Sequence, residues 1–211
     1  MEIVQMLVGS MDVYAYLLGC PESKKAAVID PGGAPSRIKA EADRRGYEII
    51  YILNTHNHPD HTAANSELKA LTGAEILIHK DDAPHLASSA MAAAAVSMGC
   101  RPSPAADRLL NDNDLVKLGA NCEIRVVHTP GHTPGGVCFY AEGNLFTGDT
   151  LFVGAVGRTD FAGGSWPVMI KSLKNRVLTF PDNTVVWPGH HYGPSPTSTI
   201  GQEKLTNPFV Q

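Results

Sequence analysis

The sequence predicts an α/β protein in which two β-sheets pack on each other and helices cover the outside. Three observations lead there. Strand-like runs cluster in both halves of the chain, helical segments are interspersed among them, and no short repeat of solenoid type occurs. The 211 residues suit one domain, 1–211, long enough to bury a sizeable core.

Val4 to Val8, Val13 to Leu18 and Ala26 to Ile29 read as strands, separated by turn signals at Gly9-Ser10 and Gly19 to Glu22. Pro31-Gly32-Gly33 breaks the chain. Ser36 to Arg45 is predicted helical, with Ile38 and Ala42 on one face and Gly46 as its stop. Glu48 to Leu53 is a short apolar run of strand length. Ala63 to Leu71 reads as a helix closed by Gly73, and Ala74 to Ile78 as another strand. Asp81 to Met98 is predicted as one helix ending at Gly99. From Leu109 to Gly148 the pattern is mainly β: Leu115 to Leu118, Glu123 to Val127, Val137 to Tyr140 and Leu145 to Thr147, with a hairpin turn at Glu142-Gly143-Asn144. Trp166 to Leu178 is helical and Thr184 to Trp187 is a last strand. A Pro/Ser/Thr-rich loop then leads to a short helix near Ile200 to Leu205.

A formal net charge of −4 argues against a general nucleic-acid binder, which needs a basic footprint. Cys20, Cys100, Cys122 and Cys138 include no C-x-x-C pair, so neither a zinc ribbon nor a redox motif is indicated; scattered thiols fit a reducing cytoplasm. Leu17-Leu18-Gly19-Cys20 looks like a lipoprotein cleavage box. However, it lacks a basic leader, and Glu2 and Asp12 interrupt the apolar stretch, which argues against export. The Ala-rich run Ala87 to Met98 is too short to span a bilayer.

One pattern recurs four times: a short apolar strand runs directly into a loop carrying His or Asp. These loops are Thr55-His56-Asn57-His58-Pro59-Asp60-His61, Thr129-Pro130-Gly131-His132, Gly148-Asp149 and Pro188-Gly189-His190. Loops held at the ends of a rigid sheet are where sites are built. In an extended segment residues two apart point the same way, so His56 and His58 can share one ion. Pro59 then turns the chain, and Asp60 and His61 face elsewhere, which favours two ions over one. Imidazole and carboxylate ligands suit zinc, iron or manganese. Left unoccupied by cations, this density of ionisable groups would be costly to bury. His79, His85 and His128 stand apart from the motif loops. His191 adjoins His190 and is kept as a support of the ligands or a substrate contact, with His190 preferred as ligand because it directly follows Pro188-Gly189.

At these residues the chain resembles the metallo-β-lactamase superfamily. The matching motifs are His56-x-His58-x-Asp60-His61, Gly131-His132-Thr133-Pro134-Gly135-Gly136, Gly148-Asp149-Thr150-Leu151-Phe152 and Pro188-Gly189-His190. Gly157-Arg158-Thr159-Asp160-Phe161 and the tail Ser198 to Phe209 are most similar to the glyoxalase II (hydroxyacylglutathione hydrolase) branch. The resemblance implies an αβ/βα four-layer sandwich of two mixed sheets with helices outside. It implies one metal on His56, His58 and His132, a second on Asp60, His61 and His190, and Asp149 as the bridge. His58 excludes the flavodiiron branch, which has Glu there. Asp30 matches a position that supports the metal loops from behind, although a turn-forming Asp before Pro31 explains it equally well. Full-length glyoxalase II carries an added C-terminal helical domain that contacts glutathione. This chain is expected to lack it, with a partner chain or the loops around Ser103 to Asp107 and Gly154 to Ser165 as replacements.

The chemistry so implied is thioester or ester hydrolysis of a small acyl-thiol by a metal-bridging hydroxide, with two divalent ions, foremost zinc, and with Asp60 and Asp149 at the reaction centre. No Ser or Cys stands out as a nucleophile, and Gly131 to Gly136 lacks the ending of a phosphate loop. Cys138 reads as core, Arg158 as a substrate contact or a partner of Asp160, and Trp166 and Tyr192 as packing or cleft lining. The alternative is a persulfide dioxygenase, with a single iron on His56, His132 and Asp149. A third reading is a non-catalytic metal-binding protein. An antibiotic-degrading role is disfavoured, because the best-known lactamases place a thiolate where Asp149 stands.

Overall fold

Alternation along the strands decides the layers of the computed structural model, which describes residues 1–9 and 11–211. In β2 (Val13–Gly19), Tyr14, Tyr16 and Leu18 point into the space between two sheets, while Val13, Ala15 and Leu17 point to the helices behind. In β9 (Val137–Ala141), Val137, Phe139 and Ala141 meet them from the opposite sheet, and Cys138 and Tyr140 face outward. The result is three apolar layers: a central one between the sheets, and one beneath each set of helices. Fully burying a side chain such as Phe139, which is 0% exposed, contributes about 1.5–3 kcal/mol.

The first sheet runs in simple order from β1 (Glu2–Val8) through β2, β3 (Lys25–Ile29), β4 (Glu48–Leu53) and β5 (Glu75–His79) to β6 (Arg108–Leu110). From β3 to β6 the pairing is parallel, so each connection crosses over the sheet. Helices α1 (Pro35–Arg44) and α3 (Asn65–Thr72) make two of those crossings, with Ile38, Ala42 and Leu68 facing the sheet. The second sheet has the order β14-β13-β10-β9-β8-β7, with β7 (Leu115–Lys117), β8 (Glu123–His128), β10 (Asn144–Gly148), β13 (Val185–Pro188) and β14 (Ser198–Thr199). Here β10 and β13 are parallel, joined through α6 (Trp166–Ser172), and α7 (Ile200–Thr206) closes the outer layer. The observed architecture is therefore the expected αβ/βα sandwich.

Several elements differ from expectation. The helix expected over Asp81 to Met98 is two: α4 (Ala83–Leu86) and α5 (Ser89–Ser97). Ser88 is extended and caps α5 by accepting from Met91 N at 3.2 Å, a start signal that an Ala-rich stretch conceals. Past Ser172 the helix widens to a π-type turn over Leu173–Val177, with Leu178 N donating to Leu173 O at 2.8 Å. The helix expected over Ala63 to Leu71 is observed as α3, starting at Asn65, and a separate short turn not expected from the sequence, α2 (Pro59–Thr62), precedes it. Strand β6, the ribbon β11 (Leu151–Phe152) with β12 (Ala155–Val156), and β14 are too short to show periodicity. The turn expected at Gly9-Ser10 falls on Ser10, which lies outside the described residues. No helix among the described residues is long and apolar enough to cross a membrane.

Candidate metal centre

The four motif loops leave the C-terminal ends of β4, β8, β10 and β13 and meet at one edge of the sandwich. Their approach is close enough to require glycine. Gly148 sits at φ +47°, and a Cβ there would strike the Thr55 side chain; a Cβ on Gly189 would lie 2.5 Å from Asp149 Oδ1. Gly189 N donates to Gly148 O at 2.9 Å, which locks the Asp149 and His190 loops together.

The predicted residues gather into two clusters. His56, His58 and His132 present ligand atoms within 4.8 Å of one another, and so do Asp60, His61 and His190. His132 Nε2 faces His58 Nδ1 at 2.9 Å, and His61 Nε2 faces His190 Nε2 at 3.0 Å. Asp149 lies between the clusters: Oδ1 is 3.3 Å from His61 Nε2, and Oδ2 is 3.4 Å from His132 Nε2 and 3.5 Å from His190 Nε2. Asp60 Oδ2 is 3.6 Å from His61 Nε2 and 3.4 Å from His190 Nε2.

The outer ring nitrogens show which inner atoms are free. His132 Nδ1 donates to Arg158 O at 2.6 Å, and His190 Nδ1 donates to Met11 O at 2.8 Å. His61 Nδ1 meets Asp30 Oδ2 at 3.1 Å, and His56 Nδ1 meets Thr55 Oγ1 at 3.0 Å. In the neutral ring each partner holds the proton at Nδ1, so Nε2 is the nitrogen aimed inward. His56 Nε2 and Asp149 Oδ1 are buried without any hydrogen-bond partner. Converging imidazole nitrogens, with His56 Nε2 left without a partner and two carboxylates among them, suit divalent cations of the zinc, iron or manganese kind, so the residues present fit a metal centre.

Electrostatics point the same way. Burial, reinforced by His132 and His61, pushes His58 down to about 4, and burial holds His56 well below the usual imidazole range; both stay neutral and ready to ligate. Burial opposes charge at His61 and His190 too, but the neighbouring Asp149 and Asp60 raise both, His190 to about 9. Burial likewise opposes ionisation of Asp149, yet His61 and His190 keep its carboxyl well below the ordinary carboxylate value. The second cluster therefore attracts positive charge, as protons or as a metal ion.

Asp30 accepts from Thr55 N at 2.8 Å and from Thr55 Oγ1 at 2.6 Å, besides meeting His61, so it braces the first motif loop from behind rather than only forming a turn. Tyr192 stacks on His190, with centroids 4.5 Å apart and an 8° interplanar angle. Burial pushes its hydroxyl up to about 12. Trp166 packs instead against Phe209. Arg158 forks onto Asp160 with two 2.6 Å bonds and lies 4.1 Å from the Phe161 centroid, and Phe161 in turn is edge-on to His58. His191 is exposed and borders Tyr14, outside both clusters. Cys138 is fully buried, with its thiol pushed up to about 11 by burial. His79 and His128, which read as isolated in sequence, stack at 4.0 Å and 13° beside Asp81. Nearly parallel rings cannot aim in-plane lone pairs at one ion, so this pair joins the sheets. Sequence reasoning missed Asp82, which binds two of the motif loops; a single Asp outside any motif gives no signal.

The family model of the metallo-beta-lactamase superfamily matches residues 8–190. The hydroxyacylglutathione hydrolase GloC of Haemophilus influenzae is 36% identical over 195 residues, 90% of this chain and 89% of that protein. Among solved structures, the BLEG-1 B3 metallo-beta-lactamase superposes with a TM-score of 0.89 at 32% identity over 100% of both chains. ETHE1 from Myxococcus xanthus gives a TM-score of 0.80 at 27% identity, covering 99% of this chain and 84% of the other. With its motif loops assembled on an αβ/βα sandwich, the chain belongs to the metallo-beta-lactamase superfamily and to its hydroxyacylglutathione hydrolase-like branch.

Proposed function

We propose that this protein is a dinuclear-metal thioester hydrolase acting on a hydroxyacyl-glutathione or a similar small acyl-thiol. His56, His58 and His132 would hold one ion, Asp60, His61 and His190 the other, and Asp149 would bridge them; zinc is the first choice, with iron or manganese as substitutes. The observation that carries the reading is the Asp149 carboxylate, whose two oxygens lie within 3.5 Å of imidazole nitrogens from both clusters. Divalent ions bound there would acidify water to a pKa of about 7 and polarise a carbonyl oxygen.

The chain's own residues do the rest. Two divalent ions outweigh Asp60 and Asp149, so the pocket stays cationic and favours electron-rich or anionic substrates. Asp60 has the most exposed side chain of the two carboxylates, 18% against 11%, and can orient the attacking water's proton. Tyr192 stacks on His190 and Phe161 meets His58 edge-on, which sets one aromatic ring beside each cluster. A thiolate leaves readily without protonation, so no further acid is required. Four free cysteines fit a reducing cytoplasm.

A second reading, a mononuclear-iron persulfide dioxygenase using His56, His132 and Asp149, is supported by the Gly157-Arg158-Thr159-Asp160 segment and the likeness to ETHE1. The test is metal analysis of the purified protein, combined with turnover of a hydroxyacyl-glutathione thioester, glutathione persulfide and a β-lactam, with and without oxygen. Two metals per chain and oxygen-independent thiol release are expected. One iron per chain with oxygen uptake on the persulfide would overturn the thioesterase, and lactam opening with no thioester turnover would reassign the substrate.

A further inference from the structure

Asp82 lies just past the end of β5, which carries no motif loop, and is 0% exposed. It occupies the N-cap position of α4, where an aspartate ordinarily accepts from its own helix, yet its side chain makes no such bond. Both oxygens are turned to the motif loops instead. Oδ2 accepts from Asn57 N at 3.0 Å and from Thr133 Oγ1 at 2.8 Å, and Oδ1 accepts from Gly135 N at 2.6 Å. Gly135 permits this approach, since a Cβ there would lie 2.7 Å from Asp82 Oδ1.

The residues held are informative. Asn57 stands between His56 and His58, and Thr133 directly follows His132. A single carboxylate oxygen thus bonds to residues adjacent to His58 and His132, whose ring nitrogens face each other at 2.9 Å. Asp30 does the corresponding service for the other side, through Thr55 and His61. We propose that Asp82 is a positioning residue for the His56–His58–His132 cluster, setting the separation of the His58 and His132 imidazoles. The inference rests on the two-ion reading above.

Asp82→Asn tests it, because an amide nitrogen cannot accept from Gly135 N or Asn57 N. The measurement is cobalt(II) binding, read by stoichiometry, chelator competition and the visible absorption of the bound ion. One of the two ions should weaken by about 10–100-fold with an altered spectrum, while the other keeps its affinity, and excess metal should restore turnover. Should Asp82→Asn fail to fold, Thr133→Val removes one of the three bonds and should weaken the same ion to a smaller degree; unchanged affinity there overturns the proposal. Two ions held equally by wild type and Asp82→Asn overturn the Asp82 role alone, even if thermal stability falls. A wild type that takes up fewer than two ions overturns the two-ion reading and this inference with it.

Discussion

Asp149 and His128 make a controlled contrast between two residues of the same sheet. Asp149 is flanked by imidazoles from both clusters, so Asp149→Ala should cost metal and lower kcat at least about 100-fold. His128 stacks on His79 and donates from Nε2 to Pro134 O, so His128→Ala should retain the full metal content. Metal analysis of both variants checks this, and metal loss in His128→Ala would show the ligand assignment to be wrong. The two clusters also differ in their proton demand. His190, raised to about 9, must lose its proton before binding a metal ion, whereas His58, lowered to about 4, is already neutral at pH 7. Raising the pH from about 6 to 9 should therefore strengthen binding at the His190 cluster, and lowering it should weaken that cluster first. Metal titrations across that range should show a steeper pH dependence for one of the two ions than for the other; equal slopes would contradict the assignment.

At the scale of elements, the decisive feature is how β10 and β13 end side by side. Their parallel pairing shifts register between Phe146 and Gly148, and Gly148 then takes a left-handed backbone. That bend turns Asp149 inward, while the Gly189 N to Gly148 O bond brings His190 alongside it. Gly148→Ala forces a side chain into positive φ and against Thr55, and should destabilise the protein by about 1–3 kcal/mol. Urea unfolding reads the loss, and reduced metal affinity should accompany it. A variant of wild-type stability would show that the backbone there relaxes freely. The Asp-after-Gly motif is plain in the sequence, but the bulge that aims it depends on the neighbouring strand.

For the whole molecule, the centre draws its residues from both sheets: His56, His58, Asp60 and His61 follow β4 of the first, while His132, Asp149 and His190 follow strands of the second. Ions bound between them would bind the folded chain and not the unfolded one. Removing them with a chelator should lower Tm, by the equivalent of about 2.7 kcal/mol for each ion present at a hundredfold its Kd. A thermal melt unchanged by chelation, with metal loss verified, would mean that the sheets hold their relative position without the ions. The central apolar layer, with Tyr16, Phe139 and Phe146 fully buried, supplies the stability on which that arrangement rests.

The sequence by itself determined the layered α/β class and the candidate ligand residues. Alternation and glycine punctuation are local properties, and four of the candidate ligands fall within six residues of one loop, His56 to His61. Short elements such as β6 and β14 escaped it, because two or three residues carry no period; the division of the Asp81 to Met98 helix escaped because a capping serine inside an alanine run reads as helix. Only the tertiary structure decided that Asp82 grips two loops, that His79 and His128 are partners, and that Asp149 lies between both clusters. Those facts join residues distant along the chain, and distances of that kind are set by sheet packing, which no local pattern encodes.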